Sequence, residues 1–323
     1  MTHFVFGAAG LTGNMLVERL LTESQDVCAV DLAPRPPGAS ANATWVDLDI
    51  CSADALRQLP LKAGDTVHHL AARQYHLSVP SKNRDGFFCD VNVEGTRNIL
   101  ALMADRGCQQ MVFFSTDMVY GIPVSTPVPV DAPHCPIGPY GKSKALAEEL
   151  ITKYRGNGFN VTIFRPRLII GPGRMGVLAK LFRLIKAGLP VPLIGGGANH
   201  YQMISVADCV TAVIQAMHHG VPNMTFNLGS EDPPNIRQLL RGLIAHAGSR
   251  SFLVPTPAMA VKMVLTGLDH AGVPLMYPEQ FRIADIDCRV DVENTKSVLQ
   301  WSPKFKDQDM LIAAYDEYLN LQA

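Results

Sequence analysis

The turn Gly7-Ala8-Ala9-Gly10-Leu11-Thr12-Gly13 constrains this chain more than any other stretch. It follows a short apolar run at residues 3–6. It opens a segment, 11–21, in which Leu11, Met15, Leu16 and Leu20 share one helical stripe, with Asn14, Glu18 and Arg19 outside it. Glycines at that spacing allow a tight reversal and a close approach by another backbone or a ligand. The helix that starts there offers N–H groups and a positive dipole end, which suits a pyrophosphate. The alternation continues. Strands are expected at 26–31, 44–46, 66–70, 111–115 and 161–165, with helices at 53–58, 91–105 and 140–154. Continuous apolar strands between helices predict a parallel sheet covered on both faces, an α/β doubly wound fold.

The second half is less regular. Gly171-Pro172-Gly173 and Gly195-Gly196-Gly197 mark turns, and 177–187, 206–217 and 236–247 carry helical periodicity. The segment 252–276 is apolar and broken by prolines, which suits a smaller lobe over the carboxyl edge of the sheet. The expected division is a nucleotide-binding domain over 1–168 and a substrate-binding lobe over 169–323. Segments near 192–218 are expected to return to the sheet.

With 28 Lys+Arg against 29 Asp+Glu, the chain has no basic footprint for nucleic acid. No apolar run is long enough to span a membrane, and the N-terminus lacks a signal-peptide pattern. The seven cysteines form no Cys-x-x-Cys pair, which suits reduced thiols in the cytoplasm. No His/Cys/Asp group has metal-ligand spacing; the adjacent pairs His68-His69 and His218-His219 diverge on their elements.

Two further features carry chemistry. Asp31 ends the second strand at the distance expected of an acid that bonds a ribose hydroxyl. Its charge disfavours a 2′-phosphate, so NAD is expected over NADP, with Arg35 nearby as the opposing influence. Asp49-Ile50 follow the third strand and offer adenine a polar contact and an apolar wall, or Asp49 caps the next helix. Tyr140 and Lys144 lie four residues apart on one helical face. An ammonium beside a phenol eases its ionisation, which makes a proton donor and acceptor.

Together these residues resemble the extended short-chain dehydrogenase/reductase family, the group of NAD-dependent epimerases and dehydratases. The resemblance is carried by Gly7-x-x-Gly10-x-x-Gly13, Asp31, Asp49-Ile50, His69-Leu70-Ala71-Ala72, Asn92-Val93-x-Gly95-Thr96, Ser115-Thr116-Asp117-x-Val119-Tyr120-Gly121, Tyr140-x-x-x-Lys144 and Arg165-Pro166 leading to Gly171-Pro172-Gly173. It covers residues 3–175 closely and implies a Rossmann-type sheet with a smaller C-terminal lobe. By that resemblance Tyr140 is the acid/base, Lys144 bonds the nicotinamide ribose, and Thr116 bonds the reacting oxygen. Leu70, Ala71 and Ala72 line the cofactor, Asn92 braces the neighbouring backbone, and Arg167 joins the cofactor-side residues. A homodimer follows on the same basis.

The departures narrow the chemistry. A dehydratase of this group uses Thr-Asp-Glu, whereas this chain has Thr116-Asp117-Met118, and Met118 moves no proton. Asp117 is left as an auxiliary acid or a loop cap. The asparagine that usually precedes the Gly-Pro turn is Leu168, and Tyr201 stands near an expected arginine. Arg167, Arg174, Lys180 and Arg183 are candidate anchors for a substrate diphosphate, or solvated charges. The six prolines of the stretch from Ile122 to Pro139, the last included, suggest a stiff wall of the substrate cleft. Three functions are expected in turn. They are a sugar or nucleotide-sugar epimerase, a hydroxysteroid- or dihydroflavonol-type dehydrogenase/reductase, and a non-catalytic dinucleotide sensor.

Overall fold

The computed structural model describes residues 1–75, 79–171 and 178–321, so Pro172, Gly173, Arg174 and Val177 lie outside the described residues. Six strands follow one another in the first half: β1 (Thr2–Phe6), β2 (Asp26–Asp31), β3 (Thr44–Asp47), β4 (Thr66–His69), β5 (Gln110–Phe114) and β6 (Asn160–Pro166). Later come β7 (Leu168–Ile170), β8 (Val191–Ile194), β9 (Met203–Ser205), β10 (Thr225–Leu228) and β11 (Leu253–Thr256). The helices are α1 (Leu11–Thr22), α2 (Ala53–Leu56), α3 (Arg84–Cys89), α4 (Thr96–Asp105), α5 (Pro139–Arg155) and α6 (Leu178–Lys186). They continue with α7 (Val206–His218), α8 (Ile236–His246), α9 (Ala258–His270), α10 (Pro278–Phe281), α11 (Glu293–Leu299) and α12 (Asp307–Asn320).

A seven-stranded sheet runs in the order β10-β6-β5-β4-β1-β2-β3, with every neighbour parallel. Successive side chains of a strand point to opposite faces, and β1 shows the consequence. Val5 packs with Leu16, Leu20 and Val213 on the face covered by α1 and α7. Phe4 and Phe6 pack with Ile99, Met103 and Ile151 on the face covered by α4 and α5. The chain leaves β1 toward β2 and β3 on one side and then crosses to β4 on the other. A ligand crevice forms where that order reverses, at the carboxyl ends of β1 and β4.

The expected return to the sheet near 192–218 takes another form. Helix α7 covers the sheet, β8 and β9 pair elsewhere, and β10 supplies the seventh strand. Strand β10 was invisible in sequence because Asn227 interrupts its apolar run. The structure spends that residue on the Tyr120 hydroxyl at 2.7 Å and the carbonyls of Val128 and Asp291, both at 3.1 Å. The helix expected over 91–105 begins as a π-helical turn, Asp90–Gly95, before α4. The second lobe has its own core, in which Phe182, Leu240, Leu243, Leu311 and Tyr315 join α6, α8 and α12. Its α9–α10 arm returns to the first lobe, where Arg84 grips Asp269 through two bonds of 2.9 and 2.7 Å.

Candidate active site

The glycine turn is fixed by contacts that leave no room for side chains. Gly7 has φ +87°, and a Cβ there would lie 2.6 Å from the Ala71 nitrogen. A Cβ on Gly13 would lie 2.0 Å from the Gly7 carbonyl oxygen. Gly10 is exposed and starts α1 without a side-chain cap or an acid in the first turn. The positive end of the helix therefore faces outward across bare backbone, which fits a dinucleotide pyrophosphate. Thr12 is buried, and half-buried Leu11 stands near Gly171.

Asp31 ties this turn to the end of β2. Its carboxylate accepts the Ala9 and Ala33 N–H groups, each at 2.9 Å, and keeps lone pairs for a ribose hydroxyl. Arg35 turns onto the Ala39 carbonyl. Asp49 is exposed and accepts the Cys51 N–H at 2.9 Å, while Ser52 caps α2. Ile50 is buried against Gly95, where a Cβ would come within 2.5 Å of it. Leu70 extends β4 by donating its N–H to the Phe6 carbonyl, and Ala71 and Ala72 follow half-buried at the crevice. The buried Asn92 accepts the Arg73 N–H at 2.8 Å and donates to the Arg73 carbonyl and Ser143 Oγ. The π-helical turn thus clamps the loop after β4 to α5, the helix that carries Tyr140.

Tyr140 and Lys144 lie in the first two turns of α5 and are both buried. The Tyr140 ring packs against Phe88 and Tyr75, with centroids 5.7 and 5.9 Å away. The Lys144 ammonium sits 4.1 Å from the Phe113 ring centroid, and burial lowers its pKa to about 7 despite the opposing pull of Glu148. Burial disfavours the charged ammonium, and an acceptor brought beside it would favour that form. Glu148 lies one turn beyond Lys144. It accepts Ser115 Oγ and is bridged by Arg165 at 2.6 Å, which locks α5 to β5 and β6. Sequence reasoning missed Glu148, although Tyr140, Lys144 and Glu148 form an i, i+4, i+8 stripe of polar groups on a buried face.

Thr116 lies two residues beyond β5 and caps the short turn Asp117–Val119, accepting the Met118 N–H at 3.3 Å. That turn touches α5 where a Cβ on Gly141 would meet the Met118 carbonyl at 2.6 Å. It also forms one wall of a cleft between the lobes, with Pro123, Val128 and Ile137 of the proline-rich segment. The structure places Arg167 in this cleft. One of its nitrogens is bonded to Asp117, and its guanidinium lies 4.7 Å over the Tyr201 ring. Its Nε and Nη2 are buried without a partner among the described residues, as is Arg289 Nε. An unmet buried donor costs about 1–3 kcal/mol, so these groups favour an anionic ligand. Lys180 and Arg183 are exposed on α6. Arg289 and Glu279 of the cleft were not legible in sequence.

Residues 3–229 match the NAD dependent epimerase/dehydratase family. The chain belongs to that family. It is an enzyme of the extended short-chain dehydrogenase/reductase type, and its cofactor is NAD. The chain is 30% identical to an uncharacterized protein of Sinorhizobium fredii, over 98% of this chain and 78% of that one. It is 25% identical to the UDP-glucose 4-epimerase of Vibrio cholerae, over 92% of this chain and 89% of that protein. Among solved structures, the UDP-glucose 4-epimerase of Thermotoga maritima matches with a TM-score of 0.80 at 22% identity, covering 100% of both chains. Among the described residues no helix is long and apolar enough to cross a membrane, and no group of His, Cys, Asp and Glu could hold a metal ion.

Proposed function

We propose that the protein is an NAD-dependent epimerase that acts on a nucleotide sugar by reversible oxidation of a secondary alcohol. The observation that carries this reading is the pair of arginines in the interlobe cleft. Arg167 Nε and Nη2 and Arg289 Nε are buried donors with no acceptor among the described residues, while another nitrogen of each guanidinium pairs with Asp117 or Asp287. A sugar diphosphate ester supplies acceptors of matching charge; a steroid or flavonol supplies none. The UDP-glucose 4-epimerase activity of the Vibrio cholerae relative supports the same choice.

In this reading Tyr140 takes the proton from the reacting hydroxyl and later returns it. Lys144 holds the nicotinamide ribose and favours the ionised phenol. Thr116 donates a hydrogen bond to the same substrate oxygen as charge develops on it. NAD, when bound, supplies the two-electron acceptor. Elimination of water needs a further acid and base, and the turn after Thr116, where a dehydratase of this group carries them, offers neither. Met118 has no proton to give, and Asp117 is bonded to Arg167. A non-catalytic sensor has no use for the buried Tyr140 and Lys144. On this reading the protein works as a cytoplasmic homodimer, which sedimentation and cell fractionation check directly.

The test uses purified protein with UDP-glucose, UDP-galactose and their N-acetyl forms. The products are resolved by anion-exchange chromatography and proton NMR. Interconversion at a ring carbon without net NADH is expected, with NAD released on denaturation. NADH formed in step with product would replace the epimerase by a dehydrogenase.

A further inference from the structure

Glu279 enters the interlobe cleft from α10 and is 2% exposed. Its Oε1 accepts the Gly141 N–H at 3.0 Å, in the first turn of α5 and one residue beyond Tyr140. Gly138 makes room for it, since a Cβ there would lie 2.2 Å from the Glu279 Cγ. The other oxygen, Oε2, is buried with no partner among the described residues. Buried carboxylate oxygens are almost always paired, and nothing in the reaction derived above employs this one.

The surroundings fix the direction of the carboxyl. Tyr277, two residues before Glu279, stacks on Tyr75 at 4.4 Å, and Tyr75 meets the Tyr140 ring edge-on. The Arg84–Asp269 pair anchors the arm that carries α10. Oε1 is committed to the helix and the Tyr75 hydroxyl lies beside the carboxyl, while Oε2 has no partner among the described residues and is open to a donor that arrives through the cleft. Arg167 and Arg289 take the anionic part of a ligand. The donor therefore belongs to its neutral, hydroxyl-bearing part, which must lie near Tyr140 to react.

We infer that Glu279 Oε2 binds a hydroxyl of the sugar ring presented to Tyr140, which makes Glu279 a specificity-determining residue of the cleft. This rests on the nucleotide-sugar reading above. Electrostatics agrees with it. Burial pushes the carboxyl up to about 7, against the pull of the Tyr75 hydroxyl, the Gly141 and Tyr140 N–H groups and the Lys142 charge. One more donor favours the ionised form.

The experiment compares kcat/KM for UDP-glucose with its monodeoxy analogues that keep the reacting hydroxyl, in the wild type and in Glu279→Gln. The glutamine carbonyl can still accept from Gly141, while its NH2 replaces Oε2 with a donor. One analogue is expected to cost the wild type at least about tenfold, and to cost Glu279→Gln less than about twofold, because a site built for a hydroxyl penalises its loss. Penalties below twofold for every analogue in the wild type overturn the assignment, whether or not the variant folds. So does a penalty unchanged by the substitution. Wild-type protein that turns over no UDP-sugar overturns the functional reading and this inference with it.

Discussion

Asp117→Asn tests the buried pair on which the substrate argument depends. The side chains of Arg167 and Asp117 are 4% and 12% exposed. The variant leaves a guanidinium buried without its counter-charge. Removing one partner of a buried pair costs about 3–5 kcal/mol. The lower end applies, because asparagine still accepts a hydrogen bond and the Tyr201 ring still faces the cation. Unfolding entropy is about 2.1 cal/mol/K per residue, or roughly 0.7 kcal/mol/K for 323 residues. A loss of about 3 kcal/mol then lowers Tm by about 4 °C. Differential scanning fluorimetry reads this directly. A saturating concentration of UDP should raise Tm more in the variant than in the wild type, because the diphosphate replaces the missing negative charge. Arg167→Met added to Asp117→Asn should recover much of the loss, since the two substitutions share one interaction. A variant that melts within 1 °C of the wild type and gains the same shift from UDP would refute the pairing, and with it the role of Arg167 as an anion anchor.

Tyr140→Phe should lower turnover by about 10²–10⁴-fold while the protein keeps its NAD, read by absorbance after denaturation; wild-type turnover would remove the proton-transfer step. Asp31→Ala deletes the acceptor for Ala9 and Ala33 and the charge near the ribose. It should weaken NAD binding and relax discrimination against NADP in fluorescence titrations, and unchanged discrimination would mean that Asp31 plays no part in it. Glu279 gives a pH signature. Its folded-state pKa is raised from 4.5 to about 7, so the native state keeps a proton that the unfolded chain has released. That contribution to stability is full below about 4.5 and is lost as pH rises through about 7. The Tm difference between wild type and Glu279→Gln should therefore shift against the wild type across that window, and a pH-independent difference would rule out the raised value.

The parts of the molecule that sequence revealed are those written in short-range code. The glycine turn, the stripe of α1 and the Tyr140–Lys144 spacing each occupy less than three helical turns. Their neighbours are set by the alternation of strand and helix. Asp117 shows where this fails. In sequence it reads as an acid or a cap. Its partner Arg167 is 50 residues away and is brought alongside only because β5 and β6 are neighbours in the sheet. The π-helical turn at Asp90–Gly95 failed for a different reason: its residues suit an ordinary helix, and the bonds Asn92 makes with Arg73 and Ser143 join segments 19 and 51 residues away. In the second lobe, α9 and α10 lie beyond the clear periodicity. Their placement is settled by Arg84 with Asp269, 185 residues apart, and Gly141 with Glu279, 138 apart.

This separation of ranges has a functional consequence. The groups assigned to proton transfer and cofactor binding sit on the first lobe, at the ends of adjacent parallel strands and on α5. Their geometry is held by Asn92, Glu148 and the glycine contacts, which belong to that lobe. Glu279 and the stacked Tyr277 belong to the arm that crosses back from the second lobe, and Arg289 follows it in the chain. If the cleft binds substrate as proposed, a substitution in the arm changes which ring substituents and which anion it accepts while the glycine turn keeps its bonds. A substitution at Gly13 cannot be contained in the same way, because a Cβ there meets the Gly7 carbonyl at 2.0 Å and displaces the turn on which the whole first lobe is wound.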